Sequence, residues 1–174
     1  MEEKINLPFE ILYNTEFFDK WTLGYLKKAG LRRIQVGIQT GSKKESKNVY
    51  NRDLSIEKIK RFAHTAKRMK LDVVYEVILD DPLADFEDKK SIIDLLLSLP
   101  RSFSIFIYSL TIFPGTELSE LLLKQGLISD KDIEGQVTKS FHQFRLNCSY
   151  PRSREESFII SLAPLTSKFL YLRS

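Results

Sequence analysis

Four polar residues stand where four apolar runs end: Asn14 after Phe9–Tyr13, Gln39 closing 33–39, Asp80 closing 73–80 and Thr111 closing 103–111. Two amides, a carboxylate and a hydroxyl in such places offer hydrogen bonds to a polar ligand, not a self-sufficient catalytic set. No Ser/His/Asp or Cys/His arrangement accompanies them, and His64 and His142 stand alone. His64, beside Ala63 and Thr65 on an expected helix, reads as a surface residue. Neither a GxxxxGKS/T phosphate loop nor a GxGxxG fingerprint is present. Gly37 inside a strand, followed by Gly41 in the Thr40-Gly41-Ser42 turn, permits close approach of a ligand or another backbone.

The elements that place these residues follow from hydrophobic periodicity, which alternates between two and about 3.6. Strands are expected at 9–13, 33–39, 73–80 and 103–111. Between them lie a helix from Thr15, read as its N-cap, to Ala29 with Gly30 as its C-terminal cap, and a lysine-rich helix 43–50. A long helix capped by Ser55, with Ile56, Ile59, Phe62, Ala63, Ala66 and Met69 at helical spacing, comes next. Asp85 with Asp88 opens a fourth, and a fifth spans 117–124. From about Ser129 the pattern weakens: 149–157 reads as a polar connection and 158–172 as a last helix broken by Pro164.

Repeated βα units imply a parallel sheet covered by helices, either part of a barrel or an open doubly wound sheet. Strand faces favour the barrel. Ile34, Val36 and Ile38 oppose Gln35, Gly37 and Gln39, while Tyr75, Val77 and Leu79 oppose Val74, Glu76, Ile78 and Asp80. One apolar and one polar face per strand fits helices outside and a polar concave interior, with ligands at the strands' C-terminal edge. Glu10, Gln35 and Glu76 can equally hydrogen-bond one another to fill that interior.

Composition sets the bounds. With 174 residues, 43% hydrophobic and 29% charged, the chain suits a packed α/β domain and not a disordered one. No apolar run reaches the length of a membrane span and the start lacks signal-peptide character, so a cytoplasmic protein without a membrane partner is expected. Net charge is +4. The cluster Lys43, Lys44 and Lys47 has no interleaved aromatics, which makes nucleic acid an unexpected partner. A single cysteine, Cys148, excludes an internal disulfide and cannot alone hold zinc or an iron–sulfur cluster.

The stretch Leu26-Lys-Lys-Ala-Gly-Leu-Arg-Arg-Ile-Gln-Val-Gly-Ile-Gln-Thr-Gly-Ser42 resembles the fourth-strand region of radical S-adenosylmethionine (SAM) enzymes. The likeness continues through Val49-Tyr-Asn-Arg52, Val74-Tyr-Glu-Val-Ile-Leu-Asp-Asp-Pro82, Ser109-Leu-Thr-Ile-Phe-Pro-Gly-Thr-Glu-Leu118 and Gly126-Leu-Ile128. Order and spacing resemble most the subgroup with an N-terminal cobalamin-binding domain. The resemblance implies the last four units of a partial (β/α)6 barrel over residues 7–128, with a C-terminal helical extension over 129–174. In that family S-adenosylmethionine lies across the strand ends and chelates a [4Fe-4S] cluster. The cluster cleaves it to a 5′-deoxyadenosyl radical that abstracts a substrate hydrogen.

By position, the resemblance implies that Gln39 bonds the SAM ribose or methionine moiety and that Arg52 pairs with the methionine carboxylate. Ile78 and Asp80 would border the adenine, and Leu110 and Phe113 would help to close that pocket. The family's CxxxCxxC loop has no counterpart here, and Thr40 and Leu83-Ala84-Asp85 depart from the commoner residues. The chain is therefore expected to be inactive alone and to need an N-terminal half or a complementary chain, which would also carry any cobalamin. The alternatives are a non-enzymatic binding module derived from such a barrel, or an unrelated α/β domain that binds a phosphorylated small molecule.

Overall fold

The computed structural model describes residues 7–137, 150 and 152–167; His142, Cys148 and the end of the expected last helix lie outside them. Four strands, β1 (Phe9–Tyr13), β2 (Leu31–Gln39), β3 (Asp72–Asp80) and β4 (Ser104–Ser109), form one parallel sheet in the order β1-β2-β3-β4. Among the described residues the sheet does not close, and β1 pairs on one side alone. The architecture is α/β, a four-unit part of a barrel.

The helices gather on one face. Leu23 of α1 (Lys20–Lys28) and Ile59, Phe62, Ala63 and Ala66 of α3 (Ile56–Arg68) join one core with Ile92, Ile93, Leu95 and Leu96 of α4 (Phe86–Ser98). Ile34, Val36 and Ile38 of β2 and Tyr75, Val77 and Leu79 of β3 meet them from the sheet. Each fully buried aliphatic or aromatic side chain here contributes about 1.5–3 kcal/mol. The opposite face carries Leu12, Gln35, Gly37 and Glu76, so the alternation in the sequence corresponds to one packed and one open face.

Caps define most helix starts. Ser42 accepts from the Glu45 N–H before α2 (Lys43–Asn48), Ser55 accepts from Lys58 N–H, and Asp85 with Asp88 forms a reciprocal capping box. The first helix differs from expectation. Asn14 caps a 3-10 turn, Thr15–Phe17, the chain becomes extended at Phe18, and Asp19 starts α1 by accepting from Thr22 N–H at 2.7 Å. The break seats Phe18 edge-on against Phe62, at 5.8 Å between ring centroids.

A smaller cluster forms beyond the β3–β4 edge. Leu110 and Ile112 pack with Leu122 of α5 (Glu117–Lys124), Ile128, Ile133 of α6 (Asp130–Val137) and Tyr150. The last helix, α7 (Arg154–Thr166), begins earlier than expected because Ser153 and Glu156 form a capping box, and it runs through Pro164. Ile159, Ile160 and Ala163 enter the main core against α4. An ion pair between the buried Lys89 and the partly exposed Glu156 joins the same two helices. No helix among the described residues is long and apolar enough to cross a membrane.

Candidate functional site

An open groove of about 310 Å³ lies on the uncovered sheet face, at the C-terminal ends of β1 and β2. Leu12, Tyr13, Asn14, Gln35, Gly37, Gln39, Arg52 and Glu76 line it. Its floor is tied across strands: Gln35 Nε2 donates to Glu76 Oε1 at 2.5 Å, and Tyr108 Oη donates to the same oxygen at 3.1 Å. The expected interior bonding thus holds for Gln35 and Glu76, with Tyr108 as an added partner. Glu10 instead faces Arg33 at 3.7 Å, both side chains more than half exposed.

Gln39 sits at a kink. Its φ is 61°, and the Thr40 N–H bonds back to Ile38 O at 2.9 Å, a γ-turn with a left-handed central residue, a sparsely populated conformation that stores strain. The β2–β3 register shifts at the same place. The kink turns the Gln39 side chain over Gly37, where a Cβ would stand 2.3 Å from Gln39 Nε2. Gly37 is therefore the position that lets the amide lie on the sheet.

Arg52 reaches the same spot from the α2–α3 loop. Its N–H donates to Ser46 O at 2.9 Å and its carbonyl accepts from Ser46 Oγ at 3.0 Å, which fixes the backbone. Its Nη1 donates to Gln39 Oε1 at 2.6 Å. Five N–H donors leave the guanidinium able to take a carboxylate as well.

Behind this edge lies a buried acidic group that the sequence did not disclose. Thr40 donates to Glu45, Tyr50 Oη donates to Asp81 Oδ2 at 2.7 Å, and Leu83 N–H donates to Asp81 Oδ1 at 2.8 Å. Burial first, then repulsion by Asp81 and Asp88, pushes Glu45 up to about 8. Tyr50 is raised far above the ordinary phenol range by burial and by Asp81 and Glu45. Gly41 holds the loop against α4, since a Cβ there would meet Ser91 O at 2.3 Å and Ile92 N at 2.7 Å.

The remaining expected residues fall further along the edge. Ile78 packs against the small cluster that contains Leu110, whose carbonyl accepts from Tyr150 Oη at 2.7 Å. Asp80 is buried, with its Oδ1 3.8 Å from Arg152 Nη1, and its carbonyl accepts from Leu110 N–H. Phe113 is 58% exposed. Gln39 and Arg52 therefore share one groove, Ile78 and Leu110 share the small cluster that Asp80 joins through its carbonyl, and Phe113 is exposed in the following loop. Among the described residues no group of three His, Cys, Asp or Glu is arranged to hold a metal.

No protein-family model matches the sequence, and no curated protein matches it significantly. Solved structures do resemble it. A radical S-adenosylmethionine methyltransferase, TsrM, from Kitasatospora setae with cobalamin and [4Fe-4S] cluster bound superposes over 68% of this chain and 23% of its own (TM-score 0.54, 16% identity). The archaeal Methanocaldococcus infernus Elp3 matches over 69% and 28% (TM-score 0.55, 22% identity). The Escherichia coli coproporphyrinogen III oxidase HemN, a radical SAM enzyme, matches over 91% and 32% (TM-score 0.57, 18% identity). The chain thus spans about a quarter to a third of the length of each. Its fold is that of a radical SAM-type barrel, present as four open βα units.

Proposed function

We propose that the groove over Gly37 binds S-adenosylmethionine and that the chain serves as the SAM-holding part of a radical SAM enzyme. The single observation that carries this reading is the Arg52–Gln39 pair at the sheet's C-terminal edge. The groove's donor set suits the ligand: a guanidinium fork for the methionine carboxylate, and the Gln39 amide for methionine or ribose oxygens. Ile78 and Leu110 supply apolar surface for the adenine, Phe113 a rim, and the carbonyl of Asp80 fixes Leu110. Bound to a [4Fe-4S] cluster, SAM would supply a 5′-deoxyadenosyl radical, as the family resemblance implies.

The chain's own residues bind and orient. Arg52 holds the carboxylate, and Gln39 holds Arg52 while the strained turn keeps its amide over the sheet. Gln35, Glu76 and Tyr108 stiffen the floor beneath. The iron–sulfur cluster is a different matter, because it needs three thiolates and the sequence holds one cysteine, Cys148. We infer that cluster ligands, and any cobalamin site, belong to a complementary polypeptide segment, and that this chain alone generates no radical. The same count favours a second reading, a binding module that uses the barrel face without redox chemistry.

Calorimetric titration of the chain with SAM tests the proposal. Millimolar or tighter binding, weakened at least tenfold by Arg52→Gln and partly restored by Arg52→Lys, is the expected result. Absence of binding by the unaltered chain overturns the SAM reading and leaves the binding module.

A further inference from the structure

The net charge of +4 conceals a strong segregation. Residues 20–70 hold 15 Lys and Arg against 3 Asp and Glu, a net +12, and the remaining sequence is correspondingly −8. Much of the excess lies on the helix layer, on the other side of the sheet from the Gln39–Arg52 groove. There an open groove of about 460 Å³ runs between the N-terminal turn of α1 and the outer side of α3, lined by Phe18, Lys20, Lys60, Arg61, His64 and Arg68. Glu57 and Thr65 also line it, and Glu57 is its single carboxylate. Positions 57, 60, 61, 64 and 68 recur every three to four residues and so form one stripe along α3.

These cations are not neutralised by any described residue. Among the described residues Lys20, Lys60, Arg61 and Arg68 make no ion pair, although Glu57 and Arg61 stand at the i,i+4 spacing where one ordinarily forms. A second, independent feature adjoins them. Phe17, Trp21 and Tyr25, flanking Lys20, are 79%, 74% and 69% exposed. Trp21 and Tyr25 lie one turn apart on α1, and Lys28 Nζ sits 6.0 Å from the Tyr25 ring centroid. Three exposed rings beside an unneutralised basic groove form a combination that the Lys43–Lys47 cluster lacks.

We propose that the α1–α3 face binds single-stranded nucleic acid. Lys20, Lys60, Arg61 and Arg68 take successive phosphates, and Trp21, with Phe17 or Tyr25, stacks on unpaired bases. A cationic track with adjacent stacking rings suits a strand whose bases are free to splay, and neither element alone selects it. A duplex keeps its bases stacked inside, and an acidic polypeptide has no use for exposed ring faces in series.

Trp21 is the chain's single tryptophan, so its emission reports the site directly. The full chain is titrated with a twelve-nucleotide oligo(U) RNA and an oligo(dT) DNA at several salt concentrations, with heparin and polyglutamate as polyanions without bases. The expected result is Trp21 quenching by either strand, the stronger naming the class. Affinity should fall with salt at a log–log slope of about −2 to −3, from three to four phosphate contacts at about −0.7 each. Arg61→Gln with Arg68→Gln should weaken binding at least tenfold and reduce the slope by about 1.4. Trp21→Leu, followed by anisotropy of a labelled strand, should weaken it about tenfold. Circular dichroism confirms that these variants are folded. No quenching at low salt, equal binding and quenching by heparin or polyglutamate, or full affinity in the folded double Arg variant overturns the proposal.

Discussion

The guanidinium of Arg52 donates to the side-chain carbonyl of Gln39 at 2.6 Å, so two residues thirteen positions apart act as one polar unit on the open sheet face. The unit depends on Gly37 beneath it. Gly37→Ala places a Cβ 2.3 Å from Gln39 Nε2, and because that atom ends a flexible side chain, the amide moves rather than the fold. The expected outcome is a loss of SAM affinity comparable with that of Arg52→Gln. Urea unfolding should show a free energy of unfolding changed by well under about 1 kcal/mol.

Gly41 gives the opposite result. A Cβ there meets backbone atoms of Ser91 and Ile92, which cannot swing aside. Gly41→Ala should cost about 1–3 kcal/mol, the usual range for overpacking, read as a lowered urea midpoint with an unchanged slope.

Glu45 makes stability depend on pH in an unusual direction. Its folded-state proton is held until about pH 8, whereas the unfolded chain releases it near the ordinary 4.5. Between those values unfolding releases a proton, so this group's contribution to stability falls as pH rises from about 5 to about 8. Denaturation at a series of pH values should show the decline in the unaltered chain relative to Glu45→Gln. Parallel curves for the two proteins would contradict the assignment.

The pairing of Lys89 with Glu156 holds α7 on α4. Lys89 is 4% exposed, and the pair's geometry keeps Glu156 ionised: burial alone would raise its carboxyl, but Lys89 and the Ser153 cap hold it below the ordinary value. Lys89→Met removes the partner of a carboxylate that water and the Ser153 cap still reach, and should cost about 1–2 kcal/mol. Lys89→Met combined with Glu156→Leu should recover most of that loss, as a double-mutant cycle in urea would show.

An open edge at β1 favours pairing with another strand. The isolated chain should self-associate with rising concentration in sedimentation velocity. Leu12→Lys, a charge on an already exposed position, should reduce the association. A single sharp monomer boundary across the range would contradict it.

The sequence was most readable where a signal is local. Alternation along β2 and β3 separates the packed face from the polar one, and Ser55 and the Asp85–Asp88 pair announce their helices, whereas Ser42, which reads as part of a turn, caps α2. Ser153 and Glu156 carry an equally local capping box, hidden because the surrounding residues are polar enough to pass for a loop. Phe18 reads as a helix residue because its partner, Phe62, is distant in sequence. The Tyr50–Asp81 contact spans 31 positions and has no periodic signature. Gly37 signalled a close approach, but not that the approaching group would be the chain's own Gln39.

Helix α7 carries a consequence for biosynthesis. Ile159, Ile160 and Ala163 fill the side of the core that α4 leaves uncovered, across a separation of 67 residues at the Lys89–Glu156 pair. While residues 154–166 are still inside the ribosomal tunnel, the part of α4 and the core that α7 covers stays exposed. The emerging βα units must therefore wait, partly hydrated, for a late segment to complete them. Final consolidation belongs to the interval after that segment emerges, and the waiting surface is one that a chaperone would recognise.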